Sequence, residues 1–412
     1  MITRRSVTLL SLAALTSACV PSGGGGMARG PSGETPPPRP VPNAGWDAWV
    51  EGYKARAAGR GISPGVIDAA FRGAGFLPEV IEKDRNQTEF KRTTEDYLNI
   101  AASDERISLG RQKYGAYSGI LNGLQSRYGV DAQIIAAVWG LESFFGTRRG
   151  NVPVVSALST LAYEGRRGEF FEGQLTAALR ILQRGDTTAD RMVGSWAGAM
   201  GHTQFIPTSY LEFAVDYTGD GRADIWSEDP SDALASTAAY LSRSGWAAGV
   251  PWGMEVTLPS GFAPGHLGRG KGKSAEEWQA MGVRPASGRG LAAGSIIAPG
   301  GIGGPAFLLT RNFNVILRYN NAENYALGVG HLSDRLAGAG PLSAAFGPDA
   351  NGLTKADRQE MQRLLTAKGF DTWGTDGVIG AKSKTAIEGY QASRGLAVTG
   401  VPGMDLLRML RG

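Results

Sequence analysis

Cysteine is almost absent: the 412-residue chain holds one, Cys19. A lone thiol excludes an internal disulfide and any metal site built from several cysteines. Histidine is nearly as scarce, because the three present, His202, His266 and His331, are scattered and form no HExxH pair. The zinc site that such a pair would build is therefore missing. A strong excess of one charge is missing too, since 42 Lys and Arg against 38 Asp and Glu leave a formal +4. That is too little to indicate nucleic acid as a partner, although it suits a polymer carrying carboxylates. The apolar run at the N-terminus, Val7 to Leu15, is too short to span a bilayer comfortably.

What is present begins with "MITRRSVTLLSLAALTSAC", an Arg4-Arg5 region, a short apolar run and small residues before Cys19. Residues 1–19 read as an export signal, with the route, general or twin-arginine, left open. Small residues before a sole cysteine resemble a bacterial lipobox, which implies acylation of Cys19 and a periplasmic protein anchored to a membrane, the outer membrane being favoured. Thr16 stands where such signals usually have Leu, so plain cleavage after Ala18 is the alternative. Residues 20–45, rich in Gly and Pro, cannot bury a core and read as a tether.

At roughly 100–200 residues per domain the chain has the length for two or three domains. From Trp46 to about Tyr240 apolar residues recur at three and four spacing, in "YSGILNGLQSRYG" and "EFFEGQLTAALRILQRG" for example, which predicts a helical body. Residues 250–320 change character: "MEVTLPSGF" and "AFLLTRNFNVILRYN" are β-rich between Gly and Pro clusters, so a small sheet is expected there. "NYALGVGHLSDRL" returns to helix. After a loose stretch, residues 350–412 form a separate helical unit whose start is signalled by Thr354 three residues before Asp357. The fold class is mainly α (α+β), with domains at 46–342 and 350–412.

"IIAAVWGLESFFG", residues 134–146, carries a single charge, Glu142. Apolar neighbours and the negative end of a helix dipole both raise a carboxylate's pKa, which is the preparation a general acid needs. The bland reading turns Glu142 outward and gives its neighbours to the core. In "SWAGAMGHTQFIPTSY", residues 195–210, small residues alternate with aromatics, while Ser195 and Gln204 offer hydrogen bonds. Such a segment suits either a sugar site or tight helix packing.

Together with "DYTGDGRADIW" and "ILRYNNAENYALGVGHL", these segments resemble the membrane-bound lytic murein transglycosylase B family over about residues 46–340. The resemblance implies a lysozyme-like helical fold that cleaves the bond between N-acetylmuramic acid and N-acetylglucosamine in peptidoglycan and leaves a 1,6-anhydromuramoyl end. It implies Glu142 as the single catalytic acid/base, Ser195 and Gln204 lining the site and Tyr240 packed beside the acid. Asn320 and Tyr325 become the far wall, with Tyr97 and Tyr319 as substrate contacts. His202 and Thr203 stand where the family more often has an aromatic and a glycine. No second carboxylate stands in a comparable setting, and no cofactor is needed, because the substrate's own O6 supplies the second group.

Asp216, Thr218 and Asp220 hold the first, third and fifth places of a calcium loop, with Gly221 at the turn but Ser227 in place of the closing Glu. A structural calcium ion is expected, with Asp232, or less well Asp229, as the later carboxylate and Arg222 giving its backbone carbonyl. A metal-free polar turn is the alternative. "LGRGKGKS" lacks the first glycine of a phosphate loop and reads as an exposed basic loop. The C-terminal segment, with its DGxxG turn at Asp376–Gly380 and Tyr390–Leu396, resembles the peptidoglycan-binding-like domain, a three-helix unit. Glycan strands of peptidoglycan are the partner these resemblances imply, with a membrane reached through the lipid and no nucleic acid. A hydrolytic muramidase and a non-catalytic wall-binding lipoprotein are the rival readings.

Overall fold

A computed structural model describes residues 36–85 and 93–412. The export signal, Cys19 and most of the tether lie outside the described residues. Two units emerge, and neither is one continuous stretch. The first takes in the described part of Met1–Lys91 with Asp104–Gly249 and Asn314–Ala337; the second takes in the described part of Arg92–Ser103 with Val250–Phe313 and Gly338–Gly412.

The first unit is built around one helix, Ala132–Ser143. Its sequence, AQIIAAVWGLES, is apolar on every side, and Ile134, Ile135, Val138 and Trp139 are all buried. A helix apolar all round must be covered all round. The helices Asp104–Ala116, Ser118–Tyr128, Ser231–Arg243 and Glu323–Leu336 pack against it. Each such buried aliphatic contributes roughly 1.5–3 kcal/mol, so this helix is the anchor of the unit. A further layer pairs Val154–Glu164 with the amphipathic Gly168–Arg184 helix. On either side of this helix pair in sequence, β1 (Val152–Pro153) and β2 (Val193–Gly194) make a short antiparallel ladder from which the "SWAGAMGHTQF" loop departs.

The second unit holds the larger sheet. Its strands are β3 (Gly253–Thr257), β4 (Arg284–Pro285), β5 (Ser295–Ile297) and β6 (Ala306–Leu309), antiparallel in the order β4-β3-β6-β5. Met254, Val256, Ile296 and Leu308 from one face close over Trp278 and Phe262. The β-rich stretch "AFLLTRNFNVILRYN" is strand only to Leu309, and Arg311–Tyr319 is helix. Thr310 accounts for the switch, because its Oγ1 accepts the Asn312 N–H at 3.1 Å and caps the new helix. Phe313, Ile316 and Leu317 then bury at helical spacing, which outweighs their β-preferring composition.

The C-terminal part of this unit consists of helices Lys355–Ala367, Ala381–Ser393 and Met404–Arg411 around Met361, Leu365, Ile387, Tyr390 and Leu407. A reciprocal capping box between Thr354 and Asp357 starts the first of them. In the same unit lies the Thr94–Ala101 helix, and Arg358 reaches it: its guanidinium bonds Glu95 and, at 3.0 Å, Asp349. Lys355 adds a bond to Asn99 at 2.7 Å.

Candidate active site

Glu142 occupies the last turn of the central helix. One residue further on the chain reverses through Phe144 and Phe145, at φ 53° and 56°, and then Gly146 at φ 85°. Two successive non-glycine residues in the left-handed region are costly, of order 1–3 kcal/mol each, and persist only where packing demands them. Here the demand is visible. The Phe145 ring folds back onto Gly140, where any Cβ would come within 2.6 Å of it. Arg106 and Arg148 lie over the Phe144 ring at 4.9 and 4.2 Å. The helix end is thus fixed, and Glu142 with it.

The carboxyl of Glu142 is packed among protein atoms on nearly all sides while the residue keeps part of its surface accessible. Burial pushes its pKa up to about 7, and the Tyr325 hydroxyl, donating to Oε1 at 2.7 Å, pulls in the opposite direction without cancelling it. Tyr325 comes from the Glu323–Leu336 helix, which packs directly on the central helix. Because Oε1 accepts this bond, the acid's own proton is left to Oε2. A carboxylic acid that stays protonated near neutrality and offers that proton can donate it to a departing oxygen.

An aromatic group lies within electrostatic reach of Glu142. Tyr319 donates to the Thr203 carbonyl at 2.6 Å; burial first, and the nearby Glu142 charge second, raise its hydroxyl well above the usual range. Tyr240, on the Ser231–Arg243 helix, meets Tyr319 edge-on with ring centres 4.9 Å apart, and Phe205 contacts both. Tyr240 also donates to the Arg318 carbonyl, which ties it to the same helix end. Asn320 follows directly, 3% exposed, and its Oδ1 has no hydrogen-bond partner among the described residues. A buried acceptor without a partner is the kind of group that a water or ligand completes.

The loop between Ser195 and Phe205 is buried and braced from within. Ser195 is buried, and its Oγ accepts the N–H groups of Ala197 and Ala199 at 3.3 and 3.1 Å, so it shapes the loop from within. Gln204, at φ 53°, donates from Nε2 to the carbonyls of Arg149 and Gly201, both at 2.9 Å. His202 and Thr203 are likewise buried, 3% and 0% exposed. Trp139 donates to His202 Nδ1 at 3.1 Å while His202 Nε2 meets the Ser227 carbonyl at 2.8 Å. This pairing requires the neutral Nε2–H tautomer, and burial agrees by lowering the His202 pKa to about 4. The carbonyl of His202 accepts from Ser143, next to Glu142. His202 therefore clips the loop to the acid's helix, a role that its position in the motif does not reveal.

Tyr97 is buried on the Thr94–Ala101 helix, in the second unit. The acidic loop after Phe213 is organised by backbone amides: Asp216 accepts those of Gly219, Asp220 and Gly221, and Asp232 those of Tyr217, Thr218 and Asp224. Asp220 caps Arg222, and Thr218 leans on Asp216. Burial raises the Asp232 pKa, and the Asp216 charge raises it further against the three amides. Among the described residues no group of three or more His, Cys, Asp and Glu side chains converges as a metal cluster. The donors are nonetheless all oxygens, two of them carboxylates in electrostatic contact, which is the set a hard cation such as calcium takes.

Comparison with known proteins decides what this arrangement belongs to. Residues 45–334 match the Transglycosylase SLT domain family, and residues 354–410 match a peptidoglycan binding domain family. The chain belongs to the SLT family of lytic transglycosylases. It is 34% identical over 245 residues to membrane-bound lytic murein transglycosylase B of Escherichia coli K12, a match spanning 58% of this chain and 66% of that relative. A crystal structure of SltB3 from Pseudomonas aeruginosa in complex with NAG-anhNAM-pentapeptide superposes with TM-score 0.72 at 44% identity, over 90% of this chain and 100% of that one. An Escherichia coli lytic transglycosylase solved in complex with calcium gives TM-score 0.60 at 27% identity, over 72% of this chain and 93% of that one. The lysozyme-like helical fold with small antiparallel sheets is the one this family uses.

Proposed function

We propose that the chain cleaves the β-1,4 bond between N-acetylmuramic acid and N-acetylglucosamine in peptidoglycan, with Glu142 as the only acid/base, and releases a 1,6-anhydromuramoyl end. The observation that carries this reading is a carboxyl raised to about 7 with one hydrogen-bond donor on it, Tyr325. Glu142 Oε2–H gives its proton to the glycosidic oxygen as the C1–O bond breaks. The carboxylate left behind takes the proton from the muramoyl O6, and O6 closes onto C1. The acid is regenerated and no water enters. Tyr325 holds Oε1 throughout, which keeps Oε2 as the atom that gives and takes the proton.

The aromatic group of Tyr240, Tyr319 and Phe205 and the buried loop from Ser195 to Gln204 supply the walls, with Asn320 offering its unused acceptor to the substrate. Tyr97 is assigned as a further substrate contact. A calcium ion held by Asp216, Thr218, Asp220, the Arg222 carbonyl and Asp232 would neutralise the acidic loop and stabilise it. Residues 354–410 hold the enzyme on the wall, and Cys19 is the site of a lipid anchor in the periplasm. Among the described residues no helix is long and apolar enough to cross a membrane.

Mass spectrometry of digested peptidoglycan tests the central step. Anhydro products, one water lighter than hydrolytic ones, are expected; hydrated reducing ends alone would make the chain a muramidase.

A further inference from the structure

Among the described residues four non-glycine residues hold a left-handed backbone: Phe144, Phe145, Gln204 and Trp373. Three belong to the catalytic site. The fourth sits alone in the C-terminal helical part, and it is the most exposed large apolar side chain there, 67% accessible at φ 61°. Strain of this kind is retained where the surroundings over-determine it. Both shoulders of the turn are pinned: the Trp373 N–H donates to Asp371 Oδ1 at 2.7 Å, and buried Thr372 bonds Thr366 at 3.0 Å and the Gly374 carbonyl at 2.9 Å. Asp371 is thereby engaged in holding the turn. A rigid turn thus pushes an indole into solvent at a cost in both strain and hydration.

The Lys382 ammonium lies 4.2 Å from the centre of the Trp373 ring, and Lys382 is exposed with no carboxylate partner among the described residues. Residues 351–412 carry nine Lys and Arg against six Asp and Glu, a positive surplus within this small segment. We infer that Trp373 and Lys382 form a second saccharide site, remote in sequence from Glu142, for a pyranose ring that carries a carboxylate: the ring lies on the free part of the indole and the carboxylate meets the Lys382 ammonium. The inference rests on the wall-binding reading of residues 354–410 and names the place where that binding occurs. In peptidoglycan the carboxylate comes either from the stem peptide or, where the stem is removed, from the lactyl group of muramic acid.

The test uses the full chain carrying Glu142→Gln, so that the wall is not digested, and measures retention on insoluble sacculi. Trp373→Gly should weaken retention about tenfold, the scale of one lost aromatic contact with its charge partner. Because glycine accepts the left-handed backbone freely, the same variant should melt at or above the parent temperature, which separates binding from folding. Lys382→Glu should weaken retention by a similar factor at low salt and less at high salt, while Trp373→Phe should recover most of it. Sacculi stripped of stem peptides by an amidase distinguish the sources of the carboxylate: unchanged effects of Lys382→Glu show that the freed lactyl carboxylate also serves, and lost effects show that the stem alone supplies it. Parent-like retention of Trp373→Gly would overturn the site while leaving wall binding intact. Failure of the full chain to bind sacculi at all would remove the wall-binding reading and this inference with it.

Discussion

Glu142 and Arg358 are both ionisable groups taken out of water, one in each unit, and they are treated in opposite ways. Glu142 receives one donor, Tyr325, and burial pushes its pKa toward neutrality. Arg358 is 3% exposed, yet its guanidinium bonds Glu95, Asp349 and the carbonyls of Leu353 and Gly377, with Asp96 close by. Burial alone would lower its pKa, and the surrounding carboxylates reverse the sign. Saturating a buried charge fixes architecture, whereas starving it of partners leaves it ready to change protonation state. Catalysis needs the second condition and a scaffold needs the first.

The largest expected effect comes from removing the starved charge. Glu142→Gln should lose about 10⁴-fold or more in anhydro-product formation, at or above the top of the range for a general acid/base, because one group serves both steps. Its stability should move the other way. The folded pKa of about 7 lies above the unfolded value of 4.5, so the wild-type carboxyl contributes fully below pH 4.5 and loses that contribution as pH rises through about 7. The amide should therefore match wild type in thermal melts at pH 4 and equal or exceed it at pH 8. A well-folded Glu142→Gln enzyme that still makes substantial anhydro product would sink the assignment.

Next comes the saturated charge. Arg358→Met strands Glu95 and Asp349 and should cost about 3–5 kcal/mol of stability in denaturant melts, the usual result of breaking a buried pair. Glu95→Gln in the same chain should restore part of the loss, because the two changes share one interaction. Fully additive losses would show that the pair is not coupled. The same contact bears on truncation. Deleting residues 350–412 removes the partner of Glu95 as well as the C-terminal helices, so Trp373→Gly is a cleaner probe of wall binding than the deletion.

The acidic loop lies between the two cases, since Asp232 accepts three amides yet has its pKa raised by burial and by Asp216. A bound cation would satisfy both carboxylates. Calcium at 100 times its dissociation constant should add about 2.7 kcal/mol by mass action, read as a rise in melting temperature, and Asp220→Ala should abolish the increment. No shift in metal-stripped protein would leave the loop as a turn held by its amides alone.

How much of this is written in the sequence differs between the same regions. Glu142 is legible because the residues that desolvate it are its chain neighbours, so an apolar helix with one acid already implies a perturbed carboxyl. Its donor is not legible from spacing, because Tyr325 is 183 residues away. Arg358 and Glu95, 263 residues apart, look like ordinary surface charges on amphipathic helices. His202 stands inside a segment that resembles a sugar site, yet its side chain points into the core toward Trp139, a direction set by packing alone. The Arg311–Tyr319 helix hides behind the β-branched pair Val315 and Ile316, although the three and four spacing of Phe313, Ile316 and Leu317 is the better guide.

The smallest expected effect probes the single donor itself. Tyr325→Phe removes the hydroxyl that lowers the Glu142 pKa and keeps the ring, so the acid should titrate higher than in the wild type. A net hydrogen bond of about 1 kcal/mol corresponds to a rise of about 0.7 of a pH unit. Activity that depends on the protonated acid is lost as pH rises through this value, so the alkaline limb of the pH–rate profile should move upward by that amount. The maximal rate should fall only several-fold, because the proton donor survives while Oε1 is no longer held. A merely structural Tyr325 would lower stability or rate at every pH and leave the limb where it is. A limb that moves downward would show that the hydroxyl favours the protonated acid, reversing the contrast between a starved carboxyl and a saturated guanidinium.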